Sequence, residues 1–246
     1  MSMTMSPTPS LLAVDRPPRQ PRGRKAGQRR PFMSRLRRAQ SGVAAVEFAF
    51  TAPIILGMFL AGAELTNFAI TRMRVSQIAL HVADNASRIG THSLLTAPQI
   101  SEAQINDLLT GANMQSGTLD LGANGRVIIS SLEPVANPNP TPKKFRIRWQ
   151  RCYGAKSWPS SYGLQGATDM LAMGPTGQQV TAPAGGGVIF VEVAYDYTPL
   201  ISASIVPTTV ITDTAAMTVR DDRDYNGNGG TGVYNNEGVA AATCAT

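Results

Sequence analysis

The chain contains one long run of apolar residues, and its pattern predicts a membrane helix. Residues 43–63 form an apolar segment of 21 residues with a single charged side chain, Glu47. At a rise of about 1.5 Å per residue, a helix of this length reaches about 31 Å, enough to cross the hydrocarbon core of a bilayer. A carboxylate inside such a span costs roughly 2.5–3.5 kcal/mol, so we interpret Glu47 as a functional residue.

Beyond the span the pattern becomes amphipathic. Apolar residues recur at spacings of three and four as far as Ile89, and polar side chains occupy the other faces. We predict that the same helix continues to a C-terminus near Gly90, with its second half packed on a folded domain. A shorter helix is predicted over residues 101–109, because Ser101 and Gln104 have the spacing of a capping box.

The hydrophobic period then changes to two. Four segments rich in Val, Ile, Thr and Tyr predict β-strands over residues 126–132, 144–150, 188–197 and 208–220. A helix followed by a run of strands predicts the α+β class, with an antiparallel sheet packed against the second half of the long helix. The connection over residues 154–187 is unusually long, which is typical of a functional surface or of partial disorder.

Charge separates the N-terminal leader from the rest of the chain. Residues 1–42 contain ten Arg and Lys against one acid, whereas the remainder contains 12 bases and 15 acids. We predict that this basic leader is disordered, whether translation starts at Met1 or at Met33. Since basic residues collect on the cytoplasmic side of a span, we predict a cytoplasmic N-terminus, a transmembrane helix over residues 43–63 and an extracytoplasmic domain over residues 64–246. No folded recognition element follows the basic residues, so we predict no nucleic-acid partner.

The chain has two cysteines, Cys152 and Cys244, and both lie beyond the span. In an oxidising compartment such a pair favours one disulfide. The bond would close a loop of about 92 residues and would contribute roughly 4 kcal/mol in the chain-entropy model. Two separate buried thiols are the alternative, and no neighbouring residues have the spacing of metal ligands.

One segment has part of a calcium-loop pattern. Asp222, Asp224 and Asn226 match the first half of a D-x-D-x-N-G loop. The twelfth position of that loop requires a bidentate Glu, and this chain has Val233 there. We therefore interpret the segment as a polar Asn/Gly turn and keep calcium only as a weak candidate.

The residues do not predict an enzyme. The sequence has no P-loop, no dinucleotide-binding pattern and no G-x-S-x-G motif. Its two histidines, His81 and His92, lie on or just after the predicted long helix. We therefore predict neither catalytic residues nor a cofactor.

The start of the span carries a recognisable motif. A basic leader ending in Gly42, followed by an apolar helix with Glu47 at its fifth position, resembles the type IV prepilin signal. The continuation GVAAVEFA at residues 42–49, with Pro53 and then GAEL at residues 62–65, is similar to the N-terminal signature of TadE-like proteins. These are minor pseudopilins of the tight-adherence (Tad/Flp) pilus system. The segments QRC at residues 150–152 and FVEVAYDYTPL at residues 190–200 are similar to the family's C-terminal half.

The resemblance implies roles for particular residues. A prepilin peptidase would cut between Gly42 and Val43, and Glu47 would then lie about 6 Å along the helix from the new amino terminus. Its carboxylate would pair with the terminal ammonium of a neighbouring subunit and set the register of assembly. Phe48 stands where these pseudopilins often have Tyr. Glu64, at the outer end of the span, is interpreted as an interfacial charge or as a contact with an assembly partner.

The resemblance also implies a structural function in pilus assembly and surface adherence, at the cytoplasmic (inner) membrane. The implied partners are the lipid bilayer, the major pilin, other minor pseudopilins, the prepilin peptidase and the inner-membrane pilus platform.

Other interpretations of the leader and span stay open. The sequence AGA at residues 61–63 fits a secretory cleavage site, and the pair Arg29-Arg30 fits a twin-arginine signal. The span could also be an uncleaved anchor. One alternative is then an anchored or secreted domain that binds a ligand or a surface and has no role in a pilus. The other is a secreted hydrolase, released by cleavage after Ala63.

Overall fold

The computed structural model describes residues 40–90 and 96–244, and the chain divides into two compact units, Met1–Pro53 and Ile54–Thr246. In the first unit the described residues, 40–53, are helical throughout and form the N-terminal part of helix α1, Gln40–Arg88. The predicted basic leader, apart from its last three residues, lies outside the described residues.

Helix α1 changes character within the second unit. Between residues 54 and 63 its large apolar side chains are exposed, whereas from Glu64 onward one stripe of the helix is buried. The stripe recurs every three or four residues and includes Phe68, Thr71, Val75, Ile78, Val82 and Ala86. This is the period of an amphipathic helix that packs on a core, so the predicted second half of α1 is confirmed.

The end of α1 is closed by an arginine from a distant part of the chain. Arg223 is buried, and its guanidinium donates hydrogen bonds to the carbonyl oxygens of Ala86 at 3.3 Å and Ile89 at 2.6 Å. The last carbonyls of a helix have no partner within the helix and carry partial negative charge. Arg223 therefore supplies these carbonyls with hydrogen bonds and places a positive charge at the C-terminal end of α1.

Helix α2, Glu102–Ser116, begins at the predicted capping box. The Ser101 hydroxyl accepts a hydrogen bond from the backbone N–H of Gln104, and the Gln104 side chain accepts one from the backbone N–H of Ser101. The helix continues past the predicted end because Ala112 and Ser116 extend its buried face. A 3₁₀ turn, Gly117–Leu119, and a single helical turn, α3, Leu121–Asn124, lead into the sheet.

The predicted strands form one antiparallel sheet, which confirms the α+β class. The strands are β1, Gly125–Pro134; β2, Phe145–Tyr153; β3, Val188–Asp196; and β4, Val210–Thr218. They lie in the order β2-β1-β3-β4, so β1 and β3 occupy the centre.

The sheet is covered on both faces. On one face the alternate residues Ile189, Val191, Val193 and Tyr195 of β3 belong to the core shared with α1 and α2. On the other face Phe190 packs in a second cluster with Leu132, Phe145 and Ile147, beneath the long connection over residues 154–187. This connection is therefore a structural cover of the sheet.

The outer edge of β2 is also protected. The backbone N–H groups of Phe145 and Ile147 donate to carbonyls of the long connection, and that of Cys152 donates to Ala242 of the C-terminal tail at 2.8 Å. Arg151 of β2 forms a buried bidentate ion pair with Glu102 at the start of α2. Covering an edge strand removes a template for unwanted pairing with other chains.

Candidate functional site

The predicted processing site lies on the helical segment of the first unit. Gly42 and Val43 are both exposed there, and the space around the Gly42 α-carbon is open. Among the described residues of this unit, no side chain packs against the bond between Gly42 and Val43, so a peptidase could reach it. Cleavage between Gly42 and Val43 stays a prediction.

Glu47 lies one helical turn after Val43, on an exposed helix surface. The hydroxyl of Thr51 donates a hydrogen bond to the Glu47 carbonyl oxygen at 3.0 Å, which satisfies this hydroxyl within the helix. The neighbouring Phe48 is exposed as well. If Val43 becomes the amino terminus, the Glu47 carboxylate lies one turn from the start of the shortened helix, close to the end where negative charge is favoured. The assembly role of Glu47 and Phe48 stays a prediction.

The part of α1 in the second unit that precedes Glu64 offers apolar contact surface. Large side chains are exposed here, namely Ile54, Ile55, Leu56, Met58, Phe59 and Leu60. An exposed apolar surface of this extent marks a contact with a membrane or with another protein. Helix α1 is also long and apolar enough to cross a membrane, which fits a single-pass anchor.

Glu64 closes this apolar segment, and the structure places its side chain inside the domain. One carboxylate oxygen accepts a hydrogen bond from the Tyr197 hydroxyl at 2.6 Å, and the other accepts one from the backbone N–H of Ile201, also at 2.6 Å. Asn67 donates to the same Tyr197 hydroxyl at 2.8 Å, and Phe68 packs edge-on against the Tyr197 ring. Glu64 therefore ties α1 to the end of β3. A contact between Glu64 and an assembly partner stays a prediction.

Replacing Tyr197 with Phe is expected to lower the thermal midpoint of the folded domain. The change removes the hydroxyl that donates a hydrogen bond to the buried Glu64 carboxylate. A buried acceptor that has lost its donor is also out of contact with water, and this lowers the free energy of unfolding. Thermal unfolding followed by circular dichroism measures the effect. Tyr195→Phe is the matched control, since it removes a hydroxyl two residues earlier on the same face; an equal decrease in both variants would contradict the role of the Glu64 contact.

The predicted disulfide is confirmed. Cys152 on β2 and Cys244 near the chain end are bonded, with their α-carbons 4.8 Å apart. The bond holds the C-terminal tail against the sheet, and Asn106 of α2 donates a hydrogen bond to the tail at the carbonyl of Ala240. The alternative of two separate thiols is therefore excluded.

The long connection is attached to the sheet through Glu192 of β3. This buried carboxylate accepts hydrogen bonds from the Ser160 hydroxyl at 2.5 Å and from the backbone N–H of Ser161 at 2.8 Å. Burial raises the pKa of the Glu192 carboxyl, although both hydrogen bonds act in the opposite direction. A carboxyl group whose pKa is higher in the folded than in the unfolded protein is protonated in both states at low pH. At higher pH it ionises, and this ionisation lowers the free energy of unfolding because the charge is unfavourable in the folded state.

Replacing Glu192 with Gln is therefore expected to remove one contribution to the pH dependence of stability. Relative to the variant, the native protein should gain stability as pH falls from neutrality through the raised pKa towards the ordinary Glu value. Urea unfolding of both proteins at several pH values measures this difference, and the other carboxyl groups contribute equally to both. A difference that stays constant over this pH range would contradict the assignment.

The calcium-like segment has internal partners in the structure. The Asp224 carboxylate accepts hydrogen bonds from the backbone N–H of Asn226 at 2.8 Å and from the Tyr234 hydroxyl. The hydrogen bond from Tyr234 lowers the pKa of the Asp224 carboxyl. The contact with Asn226 is the side-chain turn expected of such a sequence. Calcium binding by Asp222, Asp224 and Asn226 stays a prediction.

In the part of the chain that the structure describes, no group of three His, Cys, Asp or Glu side chains is placed to hold a metal ion. His81 is exposed on α1, and His92 lies outside the described residues. That the protein has no enzymatic activity stays a prediction.

Sequence patterns did not reveal the partners of Glu64. Tyr197 could be recognised as the last member of an alternating strand, but Ile201 follows it in a connection without periodicity. Both contact Glu64 across more than 130 positions of the chain, through one hydroxyl and one backbone N–H. A backbone donor leaves no residue-specific signal in a sequence.

Comparison with known proteins finds a family match in the N-terminal region of the chain. Residues 42–90 match the model of the family described as TadE-like protein. The matched segment contains Gly42, Glu47, Glu64 and nearly all of α1, and it ends before α2. No curated protein and no solved structure matches the chain. The resemblance seen in the sequence is thus confirmed over this segment.

Proposed function

We propose that this protein is a membrane-anchored minor pseudopilin that acts in the assembly of a Tad/Flp pilus and in surface adherence. The observation that carries the proposal is the family match over residues 42–90, which includes Gly42 and Glu47 at the spacing of a prepilin signal. The apolar surface of α1 ahead of Glu64 supports anchoring in the cytoplasmic membrane. Its role would be structural, without catalysis.

The chemistry of assembly follows from the cost of charge in lipid. Cleavage before Val43 creates a terminal ammonium next to an apolar helix, and Glu47 supplies a carboxylate one turn away. Each charge is unfavourable alone in the hydrocarbon core, so an arrangement that brings opposite charges together is favoured. Pairing between the ammonium of one subunit and Glu47 of its neighbour would therefore select one helix register in the growing fibre.

The proposed topology places the leader in the cytoplasm and the α+β domain outside. The excess of basic residues ahead of the apolar segment supports this orientation. The disulfide between Cys152 and Cys244 supports it independently, because such bonds persist in oxidising compartments. The partners would be the prepilin peptidase, the major pilin, other minor pseudopilins and the inner-membrane platform.

The mature N-terminus tests the proposal directly. Protein extracted from membranes of cells with and without the prepilin peptidase would be analysed by mass spectrometry. We expect a start at Val43 that depends on the peptidase. A start at Glu64 would indicate an ordinary secreted domain and would contradict the proposal, and an uncut chain would leave an anchored domain without the proposed assembly chemistry.

A second candidate function is adhesion or ligand binding by the long connection without a role in the pilus. It is favoured by Leu164 and Leu171, two large apolar side chains that this connection exposes. Deleting the connection would also uncover one face of the sheet, so substitution of the two leucines by Ser is the cleaner test. Lost surface attachment with unchanged piliation would support this candidate.

A further inference from the structure

We infer that the connection between β3 and β4 rests on the outer surface of the lipid bilayer, beside the base of the anchor helix. This interfacial loop comprises residues 197–209. The inference rests on the proposed anchoring of α1, and it adds a second point of contact between the domain and the membrane. The occupant of this surface is the headgroup region of the bilayer.

The position of the interfacial loop is set by Glu64. This residue directly follows Ala63, the last residue of the apolar segment, and its carboxylate accepts hydrogen bonds from Tyr197 and Ile201. The backbone of the loop is thus held at the level of α1 where the apolar surface ends. The polar headgroup zone is about 5–7 Å thick on each side of the hydrocarbon core, so a loop at this level lies within that zone.

The composition of the interfacial loop suits this zone. None of its 13 residues is Asp, Glu, Lys, Arg or His, and its polar side chains are hydroxyl groups of Ser, Thr and Tyr. Leu200 and Ile201, next to the Glu64 contact, are 68% and 42% exposed. Two adjacent aliphatic side chains held outward at the end of a membrane helix are suited to insertion among lipid headgroups and upper acyl chains.

The apolar surface of the helix reaches the level of the loop. Leu65 is exposed on α1 immediately after Glu64, and it extends the apolar surface of residues 54–63 to the level of the loop. Glu64 itself does not oppose insertion, because its carboxylate is buried and accepts hydrogen bonds from two donors. An exposed apolar surface on the anchor helix at the level of the loop favours lipid as the occupant over a separate protein partner.

Depth-dependent fluorescence quenching of the full chain in vesicles tests the inference. Single cysteines would be introduced as Leu200→Cys in the loop, Phe59→Cys in the anchor and Leu171→Cys in the long connection, and labelled with an environment-sensitive fluorophore. Leu171 is the matched control because it is also 68% exposed. The native cysteines are bonded to each other and do not take up the label. The vesicles contain phosphatidylcholine and phosphatidylglycerol with a nitroxide-labelled lipid, and iodide serves as the aqueous quencher.

We expect lipid quenching at positions 59 and 200, with a blue-shifted emission at 200, and iodide quenching alone at 171. Lipid quenching at 59 together with iodide quenching at 200 would overturn the inference and leave the anchor intact. Shielding of position 200 from both quenchers would also overturn it and would indicate a second protein copy on this surface. Absence of lipid quenching at 59 would refute the anchor and the inference together. Ile201→Cys provides a second test at an adjacent site.

Discussion

Replacement of Glu47 by Ala is expected to abolish piliation while leaving the protein in the membrane. The variant removes the one charge within residues 43–63, so insertion becomes more favourable, by at most roughly 2.5–3.5 kcal/mol, the cost of a charge at the centre of a span. The terminal ammonium of the neighbouring subunit, however, loses its proposed partner in lipid. Electron microscopy of pili and fractionation of membranes measure the two effects separately.

Matched variants distinguish charge from shape at this position. Glu47→Gln keeps the size of the side chain and removes the charge, so it should behave like Glu47→Ala. Thr51→Ala alters the same helix face one turn later, where the hydroxyl bonds only to backbone carbonyls of its own helix. This control should assemble pili normally. Normal piliation in Glu47→Gln cells would refute a role for the carboxylate charge.

Loss of the disulfide is expected to produce the largest decrease in stability. Replacing Cys244 with Ser should lower the free energy of unfolding by roughly 4 kcal/mol, because the bond closes a loop with a sequence separation of 92 residues. The loss also releases the C-terminal tail from the edge of β2. Urea unfolding of the full chain in detergent, followed by tryptophan fluorescence, measures it, since Trp149 is buried on β2 next to this edge.

The two partners of the disulfide provide the internal control. Cys152→Ser, Cys244→Ser and the double variant should unfold at closely similar urea concentrations, because each removes the same cross-link. Reduction of the native protein should shift its midpoint to the same range. If Cys244→Ser had the midpoint of the oxidised native protein, the cross-link would not stabilise the domain.

Much of the fold was predictable because its signals are local. The capping box depends on Ser101 and Gln104, which are three residues apart, and the structure has both of its hydrogen bonds. The period of three and four after Glu64 predicted the buried stripe of α1, and the period of two predicted the four strands. Element ends were less accurate: α2 continues to Ser116 because tertiary packing extends its buried face.

The two-sided burial of the sheet was not predictable from alternation. Alternation along residues 188–197 places Val188 and Phe190 on the face opposite Ile189, but it gives no indication of what covers that face. The structure places the connection over residues 154–187 against this face, where hydrogen bonds to Glu192 hold it on the sheet. The connection has no hydrophobic periodicity, and its contacts with the sheet join residues that are far apart in the sequence. No local pattern therefore predicts that it covers this face.

By itself, the sequence determined the apolar segment long enough to cross a membrane, the order of helices and strands, and the motif around Gly42 and Glu47. These follow from hydrophobic period, charge and spacing, which act over a few neighbouring residues. Only the tertiary structure decided that Glu64 bonds to Tyr197 and Ile201, and that the loop carrying Leu200 lies at the end of the apolar segment. The hydrogen bonds to the Glu64 carboxylate form only because packing of the whole domain brings distant groups together. The separation of two residues along the sequence does not indicate how close they lie in the folded structure.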